Sequence, residues 1–417
     1  MNQLTLIWEQ LSAAPHRGPF LIGTIQGVLT FLWWNVDLLG RFGLIGGLPG
    51  LHGQIAPIWI HAFLMIYTFF PFFIIGFLFT TFPSWMNGEK IRSNWYMSVC
   101  GLMALGSLMF YIGLIYGQSL LLAGVLSLLL GWGLAILILF RVLLTASGGD
   151  KRHAWVCASA FVGGWLGLGA YALWLSTGII LFLDFSRQAG IWFFLLPILM
   201  AVSHRMIPFF SSRVLQDYVI VRPYLLLWVM LTCSILHGWL HFTGFEQYAW
   251  ISDLLLALCA LYLSYVWGFA RGFSVRLLAV LHVAFIWLGL AMLLFSLQGF
   301  LAWSISEGEG QRYWFGLAPL HMLTIGYFAS MVLGMASRVT LGHSGRPLKL
   351  DKYTWLLFLG FQAAVLFRAL PEILSIALTW APWFYLMAGG VWLICFMLWA
   401  GKYAPIFWRA RADGKPG

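Results

Sequence analysis

Apolar runs of about bilayer-crossing length recur from one end of this 417-residue chain to the other. A helix needs about 20 apolar residues to cross hydrocarbon, where every backbone N–H and C=O must be satisfied internally. Charged residues make up 9% of the chain and hydrophobic ones 62%, so water cannot solvate the exterior and a soluble globular enzyme is excluded. Cutting the sequence at charges and turn residues gives spans near 18–36, 57–80, 95–116, 119–140, 154–176, 188–208, 223–243, 248–270, 274–299, 313–337, 353–370 and 379–401. The sequence therefore predicts an all-α polytopic membrane protein, a bundle of about twelve transmembrane helices forming one domain over 1–417.

The formal net charge of +10 does not point to nucleic acid, because the basic residues sit singly or in short groups between apolar runs. Their placement reads as topology. With these spans, nineteen of the 23 Lys and Arg fall in alternate connections, and only Arg41, Arg187, Arg312 and Arg368 fall in the others. Asp37, Asp184, Glu246, Glu307, Glu309 and Glu372 lie on or near that second side. The positive-inside rule then places both termini of this multi-pass protein in the cytoplasm, with the lipid bilayer as its first partner. The first apolar run has no small-residue cleavage site and is expected to stay as an anchor. Cys100, Cys157, Cys233, Cys259 and Cys395 show no CxxC spacing and read as small hydrophobes. Gly163, Gly164, Gly167 and Gly169 read as a close-packing face.

No Asp or Glu falls at the centre of a span, Asp253 beginning a helix near the outer surface, so histidine is the titratable side chain repeated at membrane depth. His61 lies one turn inside the second span, with Met65 on the same face as a thioether or a gap-filler. His237 and His241, spaced i, i+4, share a face at the outer end of the seventh span and suit one metal ion or interfacial hydrogen bonding. With those boundaries His321 sits about 12 Å below the outer end of the tenth span and His282 about 12 Å above the inner end of the ninth. The two are then expected near mid-membrane, within reach of each other. Paired imidazoles in an aromatic-rich bundle suit haem iron, and His204 with Arg205 could meet haem propionates or, for the arginine, snorkel. His16, His52 and His153 receive no role.

Four segments carry a resemblance to the NnrS family of bacterial membrane proteins. The second span reads Trp59-Ile60-His61, then Met65, then Gly76-Phe77-Leu78-Phe79-Thr80-Thr81-Phe82-Pro83-Ser84-Trp85, similar to that family's His followed by GFLxTxxPxW. Phe63 and Leu64 stand where members often carry His and Glu. Arg205-Met206-Ile207-Pro208-Phe209-Phe210 resembles RxIPFF. The ninth span offers Leu281-His282 with Trp287, and the tenth Leu320-His321 with Gly326. The run Arg338-Val339-Thr340-Leu341-Gly342-His343-Ser344-Gly345-Arg346-Pro347-Leu348 resembles RVxLGHxGRPL. Arg338, His343 and Arg346 there read as a basic inner-surface site or a lipid contact.

The resemblance implies a haem- and copper-containing inner-membrane protein of denitrification and the nitric oxide response. His61, His282 and His321 are the expected haem ligands, the haem being b-type. His237 and His241 are the copper candidates on spacing alone, and Arg205 and Arg338 the basic partners of the cofactor. Nitric oxide is the expected ligand; enzymatic turnover, a redox partner and a homo-oligomer stay open. The competing class is a twelve-helix secondary transporter of a small molecule, for which Pro71 and Pro197 would mark broken helices.

Overall fold

The computed structural model of the chain describes residues 3–46, 55–305, 314–375 and 379–415. Among them twelve helices are long and apolar enough to cross a membrane. They are Arg17–Arg41, Pro57–Met86, Ser93–Tyr116, Gln118–Thr145, Arg152–Thr177, Ile180–Val214, Tyr224–Thr243, Glu246–Val266, Arg276–Ser304, Ala318–His343, Lys352–Ile373 and Ala381–Phe407. No strand occurs among the described residues, and each expected span has its helix. His52, Glu307, Glu309 and Arg312 lie outside the described residues. The sixth span starts earlier than its charges suggest: Asp184 and Arg187, expected in a connection, pair with each other inside its first turns. The tenth starts later, at Ala318, because the chain turns at Gly316, whose φ is +49°.

Helices such as Gln118–Thr145 are apolar all round, as a lipid-facing span must be. Val125, Leu128, Trp132, Ala135 and Leu139 are buried at helical spacing, while Leu130, Leu137 and Leu144 recur on the exposed side. Two compact units are distinguished. One comprises Met1–Phe194, Ala336–Leu348 and Phe396–Gly417, the other Leu195–Met335 and Lys349–Cys395.

In the first unit Trp132 packs on Phe161 and Phe194, and Phe63 lies between Phe110 and Tyr171. The expected glycine face is used by three of its four members. Gly163 meets the Phe193 backbone, Gly164 meets Phe194 and Trp132, and Gly167 meets the Tyr67 hydroxyl, whereas Gly169 has room for a methyl group beside Leu129. In the second unit Gly326 packs on Trp287 and Gly334 on Val280 and Leu281, which sets the ninth and tenth spans antiparallel.

Three spans contain a turn of π-helix: Leu64–Phe69 in the second, Ala189–Leu195 in the sixth and Met322–Ala329 in the tenth. These are also the most enclosed, 89%, 78% and 78% of their apolar windows being buried against 67% or less elsewhere. Two have a local cause. Pro71 and Pro197 follow directly, and a proline removes one N–H and crowds the carbonyl four residues back, which a wider turn relieves. At the first, the Phe70 N–H reaches back five residues to the Met65 carbonyl. These prolines thus widen their helices without breaking them. The third has no proline; there the Ser330 hydroxyl takes the Ile325 carbonyl, and Gly326 admits the Trp287 indole.

Candidate functional site

His321 and His61 occupy equivalent positions in their own units. Each lies in the short α-turn that leads into a π-segment, Ala318–His321 and Pro57–Phe63. Six residues after each comes a buried tyrosine within the π-segment, Tyr327 and Tyr67. Both tyrosines bond to serines of the sixth span. The Tyr67 hydroxyl donates to the Ser186 carbonyl at 2.6 Å, and the Tyr327 and Ser203 hydroxyls are 3.0 Å apart. π-Turns recur at functional sites because the extra residue re-aims the side chains beside it.

His321 has the second feature of an iron ligand. Its Nδ1–H donates to the Leu317 carbonyl at 2.9 Å, which fixes the tautomer and leaves Nε2 as the acceptor nitrogen. Behind it, Gln362 links the Trp287 indole (2.7 Å) to the Ser330 hydroxyl (3.0 Å) and braces the π-segment. The His61 ring lies against Trp34, with centroids 4.1 Å apart and planes 20° from parallel. Met65 falls in the π-segment after His61, so the even i, i+4 alignment expected of the pair is altered.

The expected meeting of His282 with His321 does not occur. With the tenth span starting at Ala318, His321 is about 4.5 Å from that end, and His282 is about 9 Å into Arg276–Ser304. The antiparallel register sets His282 level with residues near 332 of the tenth span, about 16 Å along the axis from His321. His282 is instead a packed core residue. It is buried, its Nε2 is 3.3 Å from the Ser211 hydroxyl, and Gly272 lies flat against its ring. His204 is likewise buried and meets the Pro223 carbonyl at 3.3 Å. Arg205 is half-buried beside it in the same helix, and Arg338 is buried within the tenth span rather than in a connection.

His237 and His241 stack face to face, with centroids 4.4 Å apart and planes 26° from parallel. In that arrangement their lone pairs run side by side and do not converge, so the two rings as they stand do not fit a shared copper ion. His237 Nδ1 is 2.6 Å from Asp253 Oδ1, both side chains being buried. Asp253 has the expected place near a helix start, but its partner is set by two neighbouring helices and no sequence spacing reveals it. Among the described residues no group of three or more His, Cys, Asp or Glu stands ready for a metal ion.

Sequence reasoning missed Tyr67 and Tyr327, although the shared spacing of His and Tyr six residues apart is a readable signal. It also passed over His16, buried at the start of the first span.

Fold and site define an all-α polytopic membrane protein in which two histidines, His61 and His321, sit beside widened turns in highly enclosed spans. The chain belongs to the NnrS family: the profile described as NnrS protein matches residues 10–411. No curated protein matches the chain.

Proposed function

We propose that this chain is a haem-bearing inner-membrane protein of the nitric oxide response, with His321 and His61 as the iron ligands of their respective units. The carrying observation is the bond from His321 Nδ1–H to the Leu317 carbonyl, the arrangement that orients a ligating imidazole and raises its basicity. A haem held there supplies an iron to which nitric oxide binds. The absence of a CxxCH sequence fits a non-covalent, b-type group.

The chain's own part is to hold and to orient. Leu317 keeps the proton on Nδ1, and the Ser203–Tyr327 pair and the Gln362 bridge keep the tenth span in its π-register. The second and tenth spans are the most enclosed apart from the sixth, and His61 and His321 are half-buried at one end of them. Copper has no such support at His237 and His241, and no role is derived for it. The absence of carboxylates from the centres of the spans favours binding or one-electron chemistry over a proton-consuming reduction.

Purified full-length protein should show a Soret band and iron, and the reduced form should shift on nitric oxide addition. His321→Ala should remove at least half of the haem per chain, and His61→Ala should also lower it. His282→Ala should leave the spectrum unchanged. A colourless, iron-free parent would overturn the proposal and favour a transporter.

A further inference from the structure

The end of the tenth span, the residues leading into the first span and the segment after the last span meet within the first unit. Arg17 Nη1 donates to the Gln10 side chain at 3.0 Å and to the Arg409 carbonyl at 3.2 Å. The Ala412 N–H donates to the Ser344 carbonyl at 2.9 Å. Gly345, with φ +69°, lies so close to the Asp413 carboxylate that an added Cβ would be 2.5 Å from its Cγ. These contacts gather Arg17, Arg346 and Arg411 with His16 and His343. The His16 and His343 rings are 5.1 Å apart, His16 buried and His343 exposed above it.

This cluster is short of negative charge. Asp413 accepts from Arg411 Nε and Nη2 at 2.9 and 2.7 Å, so the carboxylate at this cluster is spent on one of its three guanidinium groups. Two polar nitrogens are left over. His16 Nδ1 and Arg346 Nη1 are buried without a hydrogen-bond partner among the described residues. His16 also caps the first span without a side-chain cap bond, so the positive end of a 25-residue helix points the same way. A buried guanidinium donor and a buried imidazole that donates from both nitrogens once protonated, with a helix end among them, call for an anion that accepts from several directions. A phosphate group does so with three or four tetrahedral oxygens, whereas a carboxylate offers two in one plane, a part Asp413 already fills.

We propose that His16, His343, Arg346 and Arg411 form a binding site for a phosphate-bearing anion, with His16 at its floor and His343 at its mouth. The ligand is either a soluble phosphate or a phospholipid headgroup. Burial first, then His343 and Arg17, hold the His16 imidazole well below the usual histidine value. A bound anion reverses that balance and draws a proton onto the ring. Arg17, His343, Arg346, Arg411 and Asp413 are the charged and titratable groups around it, and the arginines keep their charge throughout. Binding therefore tightens as pH falls.

Inorganic phosphate is titrated calorimetrically into the full-length protein in a neutral maltoside detergent. In a second arm the protein is placed in phosphatidylcholine nanodiscs with and without phosphatidic acid, and the retained lipid is measured. Saturable phosphate binding, weakened at least tenfold by Arg346→Gln and less by Arg346→Lys, identifies a soluble ligand. Binding of phosphatidic acid alone, with the same variant dependence, identifies a headgroup. Sulfate, whose charge is constant between pH 8 and pH 6, should bind at least threefold more tightly at the lower pH if it enters the site. Arg152→Gln, at an exposed residue paired with Asp150, is the control and should change nothing. Should Arg346→Gln fail to run as a single species by gel filtration, Arg346→Lys and Arg411→Gln take its place. No binding in either arm, or binding indifferent to these variants in folded protein, overturns the proposal.

Discussion

A methyl group added at Gly164 would lie 2.7 Å from both the Phe194 ring and the Trp132 ring, whereas one added at Gly169 would come no nearer than 4.0 Å to Leu129. Both glycines sit in the same helix, so the local preference for alanine is the same and only the packing differs. Gly164→Ala should destabilise the protein by about 1–3 kcal/mol. Gly169→Ala should be neutral or stabilising by up to about 1 kcal/mol. Thermal inactivation in detergent ranks the two, and equal losses would remove the packing argument. At this scale the sequence is informative about which residues matter and poor on what they touch. The glycine face, His61 and His321 stand out by type and spacing. The Asp253–His237 pair and the buried His16 Nδ1 do not, because each depends on a neighbour brought in from another part of the chain.

Helix boundaries were legible because length and hydropathy are set by the bilayer itself. The widened turns were half legible: Pro71 and Pro197 announce two of them, but Met322–Ala329 rests on Gly326, Ser330 and Gln362, whose effect requires the ninth and eleventh spans. Depth was misjudged for the same reason, since residues ahead of Ala318 are apolar enough to pass for helix. A π-turn is one residue more than an α-helix needs. Deleting Thr324 should return the tenth span to an α-register and swing His321 by about 100° relative to the rest of that helix. Haem content should then fall as far as it does in His321→Ala while the protein still elutes as a single species. Normal haem content in the deletion would show that the π-turn does not aim this imidazole.

Across the whole chain, charge is the clearest signal, and the alternation of Lys and Arg between connections agrees with twelve spans. It predicts cytoplasmic termini. Green fluorescent protein fused after residue 415 should fluoresce and alkaline phosphatase fused there should be inactive, whereas phosphatase fused at Gly178, between the fifth and sixth spans, should be active. The reverse pattern would refute that orientation. The division into two units could not be read from the sequence, because the first unit recruits Ala336–Leu348 and Phe396–Gly417 from far along the chain.

That recruitment bears on how the protein is made. Gly27 closes on Phe396, and the Phe73 ring meets the Trp399 indole edge-on, so early spans depend on partners translated after all of the other unit. Until the ribosome has delivered the twelfth span, the first five wait in the membrane with part of their packing surface turned to lipid or to the insertion machinery. Assembly of this unit is therefore a post-insertion event, and any quality control that samples the nascent chain meets it incomplete.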